Sequence, residues 1–504
     1  MFLTGVWSVG STLVATLSQF VTVPFFLKAW GSEIYGEWLT LSSVVAYIAL
    51  SDAGMQTYVV NHLTQQYVRG EWAALEQSRD SATAMYVFTI GLAAAAVAAL
   101  CISPVGRLVP ALANAGVAAE LTALLGAQVA ITVFAGYAGG YYRVQGLADY
   151  SQFAFLLSRS GLLVATLGIL AIRGSSTVLA VGQLLMTALA TLVVVVDVTR
   201  RDPRLRFSLK HANWRIAASF LGPSLWVLLG AISAGLTVQG TVLVCAAMLN
   251  AGAVVTFSTT RTLANAVRQI TGVFNTSLAP EITRIEAAGA RSRLATVHGV
   301  MVKVASAVAT VLVAWLFWTG PFIYRTWTRG RAQVAPGLLR LLLIDQLLAT
   351  PWSTSASVLV AVNNTKRVRA LTLRMITAGT IGVIGLIPLL PRTGLYFIGI
   401  VTLCCNILFM SLAVPSWTQE QLGEPLTPYV VRIYAPLIGI GATTIVAVYL
   451  VARLLPSGIF GVLLLGLVAS AVAFPLYWLV CLSHDERSLL RGLSARILRR
   501  RTAG

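Results

Sequence analysis

The sequence has 504 residues, of which 57% are apolar and only 11% are charged, with a formal net charge of +19. This composition excludes an ordinary soluble globular protein and predicts a polytopic membrane protein. The positive charge does not indicate a nucleic-acid partner, because most of the 36 Lys and Arg residues lie in short segments between apolar runs, as the positive-inside rule expects.

About fourteen apolar segments are long enough to cross a bilayer, which takes about 20 residues in a helix. To within a few residues they are 4–28, 37–60, 82–102, 121–142, 153–172, 176–198, 217–246, 253–278, 296–318, 338–361, 370–390, 394–415, 432–452 and 458–482. An even number of spans places both termini on one side, and the distribution of Lys and Arg predicts that this side is the cytosol. We therefore predict an all-α fold of transmembrane helices.

A basic segment at 199–215 separates the first six spans from the last eight. Sliding the sequence along itself aligns Trp38 with Phe257 and Gly70 with Gly289 without a gap. Internal repeats are common in transporters, and we predict a parallel repeat of spans 1–6 and 7–12. The predicted domains are an N-lobe at 1–198, a cytosolic basic linker at 199–215, a C-lobe at 216–415, two extra helices at 416–482 and a basic cytosolic tail at 483–504.

The eighth span carries a polar stripe. As a helix it places Arg261, Asn265, Arg268 and Asn275 within a narrow arc, and Gly272 leaves room on the same face. Each arginine at mid-membrane costs about 2.5–3.5 kcal/mol on the insertion scale. The stripe is therefore predicted to face a wet cavity lined by protein, and its charge suggests an anionic cargo.

The alternative interpretation is that Arg261 and Arg268 pair with carboxylates inside the helix bundle. Only Asp52 and Asp345 look deeply placed in apolar segments. Both are candidates for coupling transport to H⁺ or Na⁺, and both also fit a structural salt bridge or helix-end hydrogen bond. No other cofactor and no metal site is predicted.

Three stretches resemble a known family: Leu50 to Gly70, Phe257 to Arg284, and Val358 to Arg367. Together with the span count, they resemble the Wzx-type polysaccharide flippases of the multidrug/oligosaccharidyl-lipid/polysaccharide (MOP) exporter superfamily. The resemblance implies two pseudo-symmetric six-helix lobes in a V around a central cavity, plus two C-terminal helices. It also implies alternating access in the bacterial plasma (inner) membrane.

The cargo that the resemblance implies is an oligosaccharide on a polyprenyl diphosphate, moved from the cytosolic to the outer leaflet. Arg261 and Arg268 occupy the face of span 8 where such flippases are expected to hold cationic residues. Asn265 and Asn275 are then expected to bind the cargo beside them. The further expected partners are membrane lipids and polysaccharide assembly proteins, with the chain itself a monomer.

Two other function classes compete with this interpretation. A MATE-like cation or drug antiporter needs acidic residues in its cavity, whereas the predicted cavity helix is basic. A membrane polysaccharide polymerase or ligase usually carries a large outer loop, and no loop here exceeds roughly 20 residues. The sequence also lacks the HExxH, GxSxG and Walker motifs, so we predict that the chain is not an enzyme.

Overall fold

The structure, a computed structural model, describes residues 2–49, 55–114, 116–221, 228–230, 232–233, 235–362, 365–455, 458–483 and 486–487. Over these residues the chain forms helices joined by short turns, with no strand. It divides into two compact units: Met1–Thr259 with Trp327–Gln333, and Thr260–Thr326 with Val334–Gly504.

The helices of the first unit are α1 Phe2–Ala49, α2 Met55–Arg69, α3 Trp72–Ile102, α4 Pro110–Asn114, α5 Ala118–Val144, α6 Ala148–Ala171, α7 Ser176–Arg201, α8 Trp214–Ser219 and α9 Thr241–Met248. Helix α10, Ala251–Ala287, begins in the first unit and continues in the second. The second unit contains α11 Arg291–Thr328, apart from its last two residues, and α12 Pro336–Ala361, α13 Thr365–Thr393, α14 Tyr396–Phe409, α15 Ala413–Leu422, α16 Leu426–Tyr429, α17 Ala435–Ala452 and α18 Ile459–Leu476.

Within the described residues, nine helices are long and apolar enough to cross a membrane, and each overlaps one predicted span. The predicted span 253–278 lies in α10, which is 37 residues long but is not among the nine because its polar residues lower its hydropathy. The predicted span 217–246 falls partly outside the described residues. Helix α1 holds the first predicted span and most of the second, and Gly31 interrupts it with a φ of 71°, a value that favours glycine.

Packed tyrosines form the centre of the first unit. Tyr86, Tyr137 and Tyr141 are fully buried, and the rings of Tyr86 and Tyr137 stack with centroids 4.1 Å apart. The ring of Phe207, from the segment that follows α7, stacks on Tyr141 at 5.0 Å. The basic segment predicted as a linker is therefore folded against the helices of the first unit.

A buried ion pair fixes this segment to α3. Asp80 is fully buried and accepts hydrogen bonds from Arg79 Nε at 2.9 Å and from the backbone N–H of His211 at 2.9 Å. Arg79 also donates to the carbonyl oxygen of Arg204. The backbone N–H of Asn213 donates to Ser81 Oγ at 2.9 Å. Residues 202–213 are thus held at several points along their length.

Helix α11 is the central helix of the second unit. In its most apolar stretch 61% of the residues are buried, against 11–33% in the other eight helices that are long and apolar enough to cross a membrane. The two C-terminal helices pack on it: Trp318 Nε1 donates to the carbonyl of Ile445 at 2.9 Å, and Trp315 Nε1 to that of Val462 at 2.8 Å. Lys303 donates to both carboxylate oxygens of Glu486, at 2.8 and 2.7 Å, in a largely buried salt bridge. Most of the predicted basic tail, from residue 488 on, lies outside the described residues.

The boundary between the compact units lies within α10, at Thr259 and Thr260, and not in the predicted linker at 199–215. The first part of α10 packs closely on α1. A Cβ at Gly36 would lie 2.1 Å from the carbonyl oxygen of Ala251, so only glycine permits this approach. The predicted division into an N-lobe and a C-lobe stays a prediction.

Candidate functional site

The predicted polar stripe lies on α10 beside a packed face. Leu263 and Val267, one helical turn apart, are 4% and 0% exposed and belong to the packed face. Arg261 and Asn265 are half-buried, and Arg268 is exposed. At about 100° per residue, the stripe occupies an arc of roughly 80° along the helix. The helix thus presents two guanidinium groups and an amide on a surface that the second unit does not fully cover.

Space and an unpaired polar atom mark the far end of the stripe. A Cβ built on Gly272 would meet no heavy atom within 4 Å. The side-chain oxygen Oδ1 of Asn275 is buried and has no hydrogen-bond partner among the described residues. Leaving such an atom unpaired costs about 1–3 kcal/mol. The stripe therefore ends in a buried acceptor without a partner among the described residues.

Asp345 lies in a buried polar cluster between α12 and α14. It is 5% exposed, and Asn406 Nδ2 donates to its Oδ1 at 2.8 Å. Trp352 Nε1 donates to Asn406 Oδ1 at 2.6 Å, which fixes the orientation of the amide. Gln346 Nε2 donates to the other carboxylate oxygen of Asp345 at 3.4 Å. The carboxylate is therefore held in one orientation by side chains of two helices.

Arg268 and Asp345 both belong to the second unit, and the positive charge of Arg268 exerts a long-range electrostatic effect on the Asp345 carboxylate. The exposed guanidinium of Arg268 is able to bind an anion, because a guanidinium has five N–H donors.

The other predicted coupling residue, Asp52, lies outside the described residues. A role for Asp345 or Asp52 in binding H⁺ or Na⁺ stays a prediction. In the part of the chain that the structure describes, no three His, Cys, Asp or Glu side chains cluster as a metal site would require.

Three residues with specific polar contacts were not singled out from the sequence. Asn406 and Trp352 orient Asp345, and Glu37 is a further deeply buried carboxylate, 1% exposed. Asn406 interrupts an otherwise apolar span, and an isolated polar residue in a span is a signal of function or of internal hydrogen bonding. Glu37 lies at the start of a predicted span, where a carboxylate is common, so nothing in the sequence indicated that its side chain is buried.

No protein-family model matches the sequence, and no curated protein matches it. Solved structures do match. The lipid II flippase MurJ, in an inward closed conformation, matches with a TM-score of 0.70 and 10% identity over 97% of this chain and 100% of its own. An inward-facing multidrug resistance MATE family transporter of the MOP superfamily matches with a TM-score of 0.65 and 17% identity, over 81% of this chain and 94% of its own. An outward-facing MATE transporter of the same superfamily matches with a TM-score of 0.55 and 18% identity, over 84% and 95%.

At these identities the likeness shows the fold alone. The predicted fold class, an all-α polytopic membrane protein, is confirmed, and the fold matches those of the MATE transporters and of MurJ. The finer resemblance to Wzx-type flippases stays a prediction.

Proposed function

We propose that the chain is a flippase that moves a polyprenyl-diphosphate-linked oligosaccharide from the cytosolic to the outer leaflet, for the biosynthesis of a surface polysaccharide. The observation that carries the proposal is the cationic stripe of α10, with open space at Gly272, in a chain whose fold matches that of a lipid II flippase over 97% of its length.

The chemistry of the stripe fits a diphosphate. A guanidinium group binds phosphate oxygens through two parallel charge-assisted hydrogen bonds, which Arg261 and Arg268 would supply in succession along the helix. Their spacing along the axis is about 10 Å, since each residue rises 1.5 Å. Asn265 and the unpaired oxygen of Asn275 would hydrogen-bond the hydroxyls of the glycan.

The electrostatic influence of Arg268 on Asp345 suits a carrier that must release its cargo. Without cargo, the carboxylate offsets part of the positive charge of the arginine. When a diphosphate binds, it supplies a second negative charge to the same guanidinium. The competition between the two anions weakens cargo binding, and H⁺ or Na⁺ at Asp345 would shift that balance.

A MATE-like cation antiporter is the second candidate. It is favoured by the match to two MATE transporters and by the buried carboxylate of Asp345. The two functions differ in their cargo charge, so resistance of a sensitive host to cationic dyes distinguishes them. Dye efflux that depends on Asp345 and not on Arg268 would favour the antiporter.

The test of the proposed function separates cargo binding from internal charge balance. A deletion strain is complemented with wild type, Arg261→Ala, Arg268→Ala, Asp345→Asn or the double variant Arg268→Gln/Asp345→Asn. We expect each arginine variant to lower surface polysaccharide by at least about tenfold, the effect of losing one charge-assisted hydrogen-bonding group. Lipid-linked precursor should accumulate inside the cell.

The double variant decides between the two interpretations of the stripe. If Arg268 only balanced Asp345, removing both charges would restore export, whereas a diphosphate-binding Arg268 leaves the double variant inactive. Arg291→Gln, an exposed arginine at the start of α11, is the matched control, and membrane abundance is measured for every variant. Normal export by the double variant or by both alanine variants would refute the proposal.

A further inference from the structure

A groove in the first unit lies between α3, α5 and α7. Its volume is about 430 Å³, and it is largely open to the outside. Its lining includes Ile90 of α3, Ile131 and Phe134 of α5, and Leu192 and Val195 of α7. We name it the α3–α5–α7 groove.

The lining offers a ligand almost no polar contact. Thr191 is the one hydroxyl-bearing residue of the lining, and its Oγ1 already donates to the carbonyl of Thr187 at 2.7 Å. Leu189 and Val193, on the same helix, are each 56% exposed. All three helices are among those apolar enough to span a membrane. The groove therefore opens on an apolar surface at membrane depth, where the available ligands are hydrocarbon chains.

One end of the groove meets the basic segment 202–213. The ring of Phe134 lies 5.3 Å from the ring of Phe207, so the segment contacts the lining of the groove there, and Arg206 is adjacent to Phe207 in sequence. Arg206 and Lys210 are exposed. The backbone that carries them is fixed, because the N–H of Lys210 donates to Ser208 Oγ at 3.1 Å and that of His211 donates to buried Asp80. The backbone that carries these cationic side chains thus has a fixed position near Phe134.

This segment and the start of α8 have side chains typical of a membrane interface. Leu209 of the segment and Trp214, the first residue of α8, are 53% and 57% exposed, although both are apolar. Trp is enriched at the depth of lipid headgroups, where one end of its ring is apolar and the other polar. These side chains are typical of the depth at which lipid phosphates are found.

From this arrangement we propose that the α3–α5–α7 groove binds one anionic glycerophospholipid of the surrounding bilayer. One acyl chain occupies the groove, and the phosphate and headgroup contact Arg206 and Lys210. Basic pockets beside membrane helices on the cytoplasmic side are known to bind anionic headgroups. This site is separate from the stripe of α10 and does not depend on the proposed transport function.

The headgroup decides which lipid binds. Lipid tails are as apolar as leucine, so a tail gains no hydrophobic free energy by leaving the bilayer for an apolar groove. A shaped groove gives close packing, but every lipid with a similar chain gains from it equally. Selectivity for an anionic lipid must therefore come from Arg206 and Lys210, each of which contributes about a fivefold change in affinity near the membrane surface.

Native mass spectrometry of the full chain in detergent tests the proposal, with phosphatidylglycerol and phosphatidylcholine of identical acyl chains as probes. We expect the wild type to bind one phosphatidylglycerol with at least about tenfold preference over phosphatidylcholine. Arg206→Gln/Lys210→Gln should bind phosphatidylglycerol about 25-fold more weakly, with little change for phosphatidylcholine. Arg107→Gln, an exposed arginine beyond the opposite end of α3, is the matched control and should behave as wild type.

A second pair of variants tests the groove itself. Ala188→Trp fills it and should weaken both lipids, whereas Leu185→Trp changes an exposed residue of the same helix outside the lining and should weaken neither. If Ala188→Trp does not fold, a photoreactive acyl chain on phosphatidylglycerol should label the α5 and α7 peptides of the wild type. Equal affinity for the two lipids, an unaffected Arg206→Gln/Lys210→Gln variant, or labelling elsewhere would overturn the proposal. Displacement of the phosphatidylglycerol by an equimolar polyprenyl phosphate would also overturn it, since the groove would then be a site for the cargo tail.

Discussion

At the scale of single residues, two buried carboxylates show how this chain places charge among apolar helices. Asp345 is surrounded by side-chain donors, as described above. Glu37 instead accepts two backbone N–H groups, from Ala111 at 2.8 Å and from Leu112 at 2.7 Å, at the first turn of α4. Negative charge at a helix N-terminus is stabilised by the helix dipole as well as by these hydrogen bonds. Glu37 thereby joins α1 to the segment that follows α3.

Replacing Glu37 with glutamine should lower the stability of the purified protein by about 1–3 kcal/mol. The amide keeps one oxygen acceptor but turns its NH₂ group towards a backbone N–H, which leaves one buried donor unpaired. Thermal unfolding in detergent measures the change as a lower unfolding temperature. Glu33→Gln, the same substitution at an exposed position one turn earlier in α1, is the control. An unfolding temperature for Glu37→Gln equal to that of Glu33→Gln would show that these hydrogen bonds contribute nothing.

The sequence predicts residues of one helix better than contacts between helices. The positions of Arg261, Asn265 and Arg268 on one face follow from the helical period alone, and the exposure of Arg268 agrees with that face being incompletely covered. The contact of Asn406 with Asp345 joins residues 61 positions apart on separate spans. Hydropathy identifies both spans but does not indicate which spans are neighbours.

At the scale of elements, the segment 202–213 behaves as part of the first unit. Its many positive charges led to the prediction of a cytosolic basic linker. Arg79 and Asp80 are adjacent in sequence, just before the predicted span 82–102. In the structure their side chains are 6% and 0% exposed, and they bind the backbone of the segment at both Arg204 and His211. The sequence does not reveal that Arg79 and Asp80 are buried. Because they are, residues 202–213 are fixed to α3 and do not form a free linker.

Asp80→Asn should release this segment. The substitution leaves Arg79 buried without its counter-charge, and breaking a buried ion pair in this way costs about 3–5 kcal/mol. We expect trypsin to cleave the purified protein after Arg204, Arg206 or Lys210 at least about tenfold faster than in wild type, because cleavage follows the population of the open segment.

Two controls show whether the effect is local. Glu76→Gln changes a half-buried carboxylate one turn earlier on α3 and should leave the cleavage rate unchanged. Cleavage after Lys366 or Arg367, at the start of α13, provides an internal reference for general unfolding. Equal acceleration at both regions would mean that Asp80 stabilises the whole protein and not this attachment.

At the scale of the whole molecule, the fold is far better preserved than the sequence. Matches of 10–18% identity still give TM-scores of 0.55–0.70. A membrane span requires about 20 apolar residues but not particular ones, so the helical framework tolerates extensive substitution. The same tolerance is why the spans could be predicted from hydropathy. Because the same framework accepts many sequences, the fold does not identify the cargo, and the side chains of the stripe on α10 are the basis for the proposed cargo.

The central claim is that this chain moves a lipid-linked diphosphate across the membrane and uses Arg261 and Arg268 to do so. The most direct measurement is the flipping rate of a fluorescent polyprenyl-diphosphate sugar in liposomes that contain the purified protein. The account predicts that wild type and the Arg291→Gln control accelerate flipping over protein-free liposomes. Arg261→Ala and Arg268→Ala should reduce the protein-dependent rate by at least about tenfold. No acceleration by the wild type, or equal rates for wild type and both alanine variants, would contradict it.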